Sequence, residues 1–158
     1  MIELINVCKK FGKQIVLDGV NFNVQEGETV ALLGPSGTGK SVLLKHIIGL
    51  IHPDSGTIIV DDKDVTRLKR HELAELRSHI GYVFQNGALL DSDNVFENVR
   101  LGITDESKYR DLAYAHDRVA ECIRLVNLPP ETVDKFPAQL SGGMRKRVGI
   151  ARAIAGSP

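Results

Sequence analysis

The chain has 158 residues, 42% of them apolar, with 20 Lys and Arg balancing 20 Asp and Glu. That size allows one ordinary domain with a sizeable core, and the charge balance removes the global field that draws a basic protein to nucleic acid, so no nucleic-acid partner is expected. Cys8 and Cys122 lie far apart without ligand spacing and read as reduced thiols, Glu3 and Asn6 interrupt any signal-peptide core, and no apolar run approaches membrane-spanning length.

In chain order, residues 2–7 and 20–24 alternate in polarity and, with the apolar run 15–17 that follows a turn at Phe11-Gly12-Lys13, are expected as short strands. Gln25-Glu26-Gly27-Glu28 turns into a further expected strand at 29–33, and a helical pattern follows at 42–50. Pro53-Asp54-Ser55-Gly56 leads into a strand at 57–60, then a short helix at about 70–78 and a strand at 80–84. From Gln85 the character is helical. Helices are expected at 95–101 and 109–126, the second with Leu112, His116, Val119, Ile123 and Val126 on one stripe. Pro129, Pro130 and Pro137 break the pattern before a last helix from Gly142 to about Ala155. On that helix Met144, Val148, Ala151 and Ala155 are expected to face inward, with Arg145, Lys146, Arg147 and Arg152 on the solvated side or in an anion-binding patch. The five histidines lack ligand spacing and are expected at the surface.

Between the strand at 29–33 and the helix at 42–50 lies Gly34-Pro35-Ser36-Gly37-Thr38-Gly39-Lys40-Ser41, which satisfies G-x-x-x-x-G-K-[ST]. The glycines let the backbone wrap closely, so that successive N–H groups point at a polyphosphate, and the following helix adds its positive end. Lys40 is placed to reach the β- and γ-phosphates and the Ser41 hydroxyl to ligate Mg²⁺. One unit-charge pair at about 4 Å contributes about 4 kcal/mol at an effective dielectric near 20, so a single lysine matters. The motif predicts binding of a nucleoside triphosphate.

A second motif opens the last helix. In Leu140-Ser141-Gly142-Gly143-Met144, Ser141 suits an N-cap, and Gly142 and Gly143 leave the first-turn N–H groups open to an anion. The order of phosphate loop, strand ending in Gln85, helical insert and Leu-Ser-Gly-Gly resembles the ATP-binding-cassette (ABC) ATPases along the whole chain. The resemblance implies an α/β fold: a P-loop NTPase core of the ABC type with an antiparallel β subdomain and a helical insert. It implies that Phe11 stacks on adenine, that Gln85 contacts Mg²⁺ and the attacking water while hinging the insert, and that Ser141, Gly142 and Gly143 contact the γ-phosphate of ATP held by a partner subunit in a head-to-tail homodimer. The implied ligands are ATP and Mg²⁺.

The run Met144-Arg145-Lys146-Arg147-Val148-Gly149-Ile150-Ala151-Arg152-Ala153-Ile154, with Gln85-Asn86-Gly87-Ala88-Leu89-Leu90 and Asn94-Val95-Phe96-Glu97-Asn98-Val99, is similar to the Mla-type phospholipid-trafficking ATPases, also linked to organic-solvent resistance. That implies an ATPase on the cytoplasmic face of the inner membrane, bound to an integral-membrane permease and moving phospholipid. Leu89, Leu90, Val95 and Phe96 then either form the groove that receives the permease or build the core of the insert. Alternatives are an importer of another substrate, such as polar amino acids, or a non-transport ABC ATPase acting on DNA or ribosomes. The expected division is 1–86 for the nucleotide-binding core, 87–139 for the insert and 140–158 for the signature and returning helix. Asp61 and Asp62 follow an apolar run but are expected as solvent-facing acids of a peripheral strand. The family's acidic metal-binding strand, catalytic glutamate and switch histidine belong beyond the signature helix, so the chain is expected to lack the C-terminal part of the core and to bind nucleotide without turning it over.

Overall fold

The computed structural model describes residues 1–158, which divide into two compact units, Met1–Glu75 and Leu76–Pro158. The first is built on a four-stranded antiparallel sheet in the order β2-β1-β3-β4, with β1 at Ile2–Phe11, β2 at Gln14–Val24, β3 at Ser55–Val60 and β4 at Lys63–Asp64. The stretches expected at 15–17 and 20–24 are one strand. Its ladder with β1 slips between Leu4 and Val7, where Asn6 takes a left-handed φ of 49°. Asn21 holds that irregularity: its Oδ1 accepts from the Asn6 backbone N–H and its Nδ2 donates to Asn6 Oδ1. One sheet face buries Leu4, Val7, Ile58 and Val60, and helix α1, Lys40–Ile47, packs on β3 with Leu43 and Ile47 buried.

The strand expected at 29–33 does not form. The segment has no ladder partner, and Leu33 is 91% exposed. A parallel core strand hides both faces and hydrogen-bonds along both edges, so local sequence preference cannot hold it without neighbours. The stretch at 80–84 in the second unit meets the same physics: it is irregular, with Val83 and Phe84 exposed.

Helix α2, Arg70–Ser78, spans the boundary between the units. The second unit is helical, with α3 at Val95–Arg100, α4 at Glu106–Arg110, α5 at Leu112–Leu125, α6 at Gly142–Ala155 and 3₁₀ turns at Pro130–Asp134 and Pro137–Gln139. The helix expected at 109–126 is two, because the Asp111 carboxylate accepts from the Tyr114 N–H and starts a new helix. Its inward face is Ala115, Val119, Cys122 and Ile123, whereas Leu112 is exposed and His116 stacks on Phe96 with ring centroids 4.3 Å apart. Ala115, Val119, Cys122 and Ile123 share a core with Val95, Val99, Val148 and Ala151. The fully buried Asn98 side chain organises the chain before α3, accepting from the Leu90 N–H and donating to the carbonyls of Leu90, Asp93 and Asn94. At the C-terminal end of α6, Arg118 donates to the carbonyls of Ile154 and Ala155, the former also accepting from the Ser157 N–H.

Candidate nucleotide-binding site

Residues 34–38 form an exposed loop that runs through Gly39 into α1. Gly39 is the N-cap in a left-handed conformation, φ +88°, and no side chain caps the helix. A β-carbon there would stand 2.9 Å from Val16 Cγ1 and 3.0 Å from the Val16 carbonyl oxygen, so only glycine lets the loop lie this close to β2. The first-turn N–H groups of α1 receive no bond from a capping side chain, and no acidic residue occupies that turn.

Lys40 closes the loop from within. Its ammonium donates to the carbonyls of Gly34 and Pro35, each at 2.7 Å, and more weakly to Thr38 Oγ1 at 3.4 Å. The Thr38 hydroxyl donates to the Pro35 carbonyl at 2.9 Å. These bonds turn the carbonyls of the loop inward onto the lysine and leave its amides for an incoming anion. Pro35, Ser36 and Gly37 are exposed at its tip, and Ser41 presents an exposed hydroxyl one residue past Lys40. The donor set suits a polyphosphate, with a neutral oxygen for Mg²⁺. No cluster of three or more His, Cys, Asp or Glu side chains offers a metal site elsewhere. Phe11, at the end of β1, is 47% exposed, with Lys9 Nζ 5.6 Å from its ring centroid. Asp61 and Asp62 stand exposed at the β3–β4 turn, Asp61 accepting from the N-terminal ammonium.

In the second unit, Ser141 caps α6, accepting from the Met144 N–H at 3.2 Å, and Gly142 and Gly143 are exposed. A β-carbon at Gly143 would meet nothing within 4 Å, so the open approach at this helix end is real. Gln85 is exposed in a turn that the Gly87 N–H closes onto the Phe84 carbonyl at 2.9 Å.

Two expectations fail. The arginines of α6 are not simply solvated: Arg145 donates to the Leu140 carbonyl, Arg147 to that of Asn127 and Arg152 to those of Gly87 and Ala88. Only Lys146 of the four basic residues behaves as an exposed face. His46 is fully buried instead of at the surface, because position 46 lies on the face of α1 that covers the sheet. Its Nδ1 hydrogen-bonds the Val42 carbonyl at 2.7 Å, Nε2 has no partner, and burial pushes its pKa down. Of the residues with two open roles, Val95 and Phe96 are core, Leu89 packs against it and Leu90 is exposed. A cavity of about 880 Å³ opens on the second unit, lined by Phe96, His116, Val119 and Ile123 with Glu97, Glu121, Arg124 and Asp134 around it.

A glycine-turned loop closed on its own lysine at an uncapped helix start defines a phosphate-binding-loop protein. The family described as ABC transporter matches residues 17–158, and the chain belongs to it. It is 41% identical over 157 residues to the probable ribonucleotide transport ATP-binding protein mkl of Mycobacterium leprae, covering 99% of this chain and 45% of that protein. It is 43% identical over 159 residues to the sulfate/thiosulfate import ATP-binding protein CysA of Bradyrhizobium diazoefficiens, covering 99% and 44%. Among solved structures, the ATP-binding cassette MJ0796, in a dimeric post-hydrolysis state bound to ADP and Pi, superposes with a TM-score of 0.89 at 37% identity. That match covers all of this chain and 71% of the cassette, so the P-loop cassette fold is shown, while the chain spans under half the length of the curated relatives. No helix is long and apolar enough to cross a membrane.

Proposed function

We propose that the complete protein is the ATP-hydrolysing subunit of a membrane transporter and that residues 1–158 supply its nucleotide-binding loop and signature helix. The observation that carries this reading is the Lys40-closed loop opening onto the uncapped start of α1. Gly34, Gly37 and Gly39 with the amides of the loop hold the phosphates, Lys40 neutralises the terminal ones, and Phe11 stacks on the base. Ser41 and Gln85 would hold Mg²⁺, which when bound offsets phosphate charge. Ser141, Gly142 and Gly143 would serve the ATP of a second copy in a head-to-tail pair, so ATP binding and pairing strengthen each other by the same coupling free energy.

The division 1–86, 87–139 and 140–158 assigns core, insert and signature their separate roles. The cavity beside Phe96 and His116 would receive the permease, which keeps the subunit on the cytoplasmic face of the membrane. Phospholipid is the cargo favoured by the run 144–154. The relatives named for sulfate/thiosulfate and, in Rhizobium etli, methionine import favour a second reading, import of a small solute.

Calorimetry on the complete protein with ATP and Mg²⁺ tests the core claim: a binding signal lost in Lys40→Ala supports it, and equal heats from both proteins refute it. Reconstitution with the co-purifying permease separates the cargoes, since phospholipid or solute must raise ATP turnover. Stimulation by sulfate or methionine alone overturns the lipid reading.

A further inference from the structure

The one basic side chain of α6 that grips a segment outside the helix entry and the α5 exit is Arg152. Its Nη1 donates to the Ala88 carbonyl at 2.8 Å and its Nη2 to the Gly87 carbonyl, a two-pronged contact with consecutive peptide groups. Those carbonyls point the same way because Gly87 and Ala88 both adopt left-handed backbone, φ 78° and 45°, which alanine visits only under constraint. Gly87 is buried against α6 at backbone distance: a β-carbon on it would lie 2.8 Å from the Arg145 carbonyl oxygen, and one on Gly149 would lie 2.9 Å from Gly87 Cα. Gly87 in turn closes the turn that contains Gln85. Burial lowers the Arg152 pKa and no carboxylate pairs with it, so carbonyl dipoles alone satisfy this half-buried charge. A guanidinium fork offers two N–H groups fixed in one plane to these two carbonyls, whereas an ammonium would offer a single nitrogen on a freely rotating stem, so it holds their relative orientation less firmly.

We propose that Arg152 is a positioning residue: it ties the turn carrying Gln85 to helix α6, which carries the signature at its N-terminus, so that the two respond to nucleotide as one piece. This rests on the ATPase reading above. Helix α6 acts as the rod, with Ser141 at one end and the Gly87–Ala88 clamp along its side. Ala88, unlike Gly87, is strained in the left-handed region, and the guanidinium helps hold it there.

The test uses the complete protein assembled with its permease, as Arg152→Met and Arg152→Lys. In Arg152→Met, amide exchange at residues 87–90 rises about tenfold or more and kcat falls about tenfold, while KM and the dissociation constant for ATP stay within about twofold. Arg152→Lys, which keeps the charge without the fork, recovers part of both losses. Unchanged exchange at 87–90 overturns the proposal. So does an activity loss that follows a general fall in Tm with exchange rising evenly along α6, because that is packing alone. If Arg152→Met does not fold, Arg152→Lys decides by the same split between kcat and KM. Lys40→Ala separates the two levels. Wild-type ATP binding in that variant sinks the nucleotide reading and the role given to Arg152 with it. Loss of binding there, beside unaltered kcat in the Arg152 variants, sinks the Arg152 proposal only.

Discussion

Gly37 and Gly39 share nearly the same backbone, φ 86° and 88°, yet differ in what surrounds them, and that contrast yields a differential prediction. Alanine at either position must adopt left-handed geometry, at about 1–2 kcal/mol. At Gly37 nothing stands within 4 Å of the added carbon, so that backbone term is the whole effect on stability. At Gly39 the carbon also meets Val16 Cγ1 at 2.9 Å and the Val16 carbonyl oxygen at 3.0 Å. The methyl group can rotate away, but the carbonyl is part of the β2 backbone, at the irregularity between the Lys9–Leu17 and Lys10–Ile15 pairs, and moves only with the strand. Overpacking of this kind costs about 1–3 kcal/mol, which puts Gly39→Ala at about 2–5 kcal/mol in total. Urea unfolding of both variants beside the parent protein reads the difference directly, provided the m-value is unchanged. ATP calorimetry should show Gly39→Ala losing affinity further than its loss of folded fraction explains, since the start of α1 moves. Equal midpoints for the two variants would refute the close approach of the loop to β2.

Three other outcomes are expected. Asn98→Ala removes a fully buried side chain that accepts from the Leu90 N–H and shares its two amide hydrogens among three carbonyls, and it leaves loop groups unpaired, so stability falls by about 2–4 kcal/mol in the same unfolding assay. His46 is held neutral by burial, so as pH drops below the unfolded value of about 6.5 the unfolded chain takes up the proton first and stability declines towards the lower folded pKa; His46→Leu should flatten that slope between pH 7.5 and 5.5, and an unchanged slope would assign it to other groups. The Cys122 thiol is buried and its pKa is pushed up, so a thiol reagent at pH 8 should modify Cys8 in the folded protein and Cys122 only on unfolding, which peptide mapping resolves.

What could be read in advance follows the range of the interactions involved. The phosphate loop, the Ser141 cap and the inward side of α6 depend on near neighbours in sequence, and Val148, Ala151 and Ala155 are buried where the periodicity places them. The break at Asp111 was also available, since an aspartate three residues before Tyr114 is a capping signal inside an otherwise continuous helical stripe. The stretches 29–33 and 80–84 have strand composition, but a strand is defined by its neighbours, and none pairs with them here. The arginines of α6 were illegible for another reason. Their partners are peptide carbonyls, which every residue carries, so no residue type marks the acceptor. His46 was masked by its polarity: its ring fills a core position that one backbone bond makes tolerable.

Lysine has three hydrogens to give, and in the loop at 34–41 two are committed to the Gly34 and Pro35 oxygens while the third is only loosely engaged with Thr38. The loop is therefore braced through a single side chain. Capture should then be governed by how often molecules collide with the mouth of the loop, with little waiting for the backbone to rearrange. An arginine at position 40 would carry the same charge yet spoil that readiness, because a flat fork cannot share itself between two inward oxygens and a guest above them.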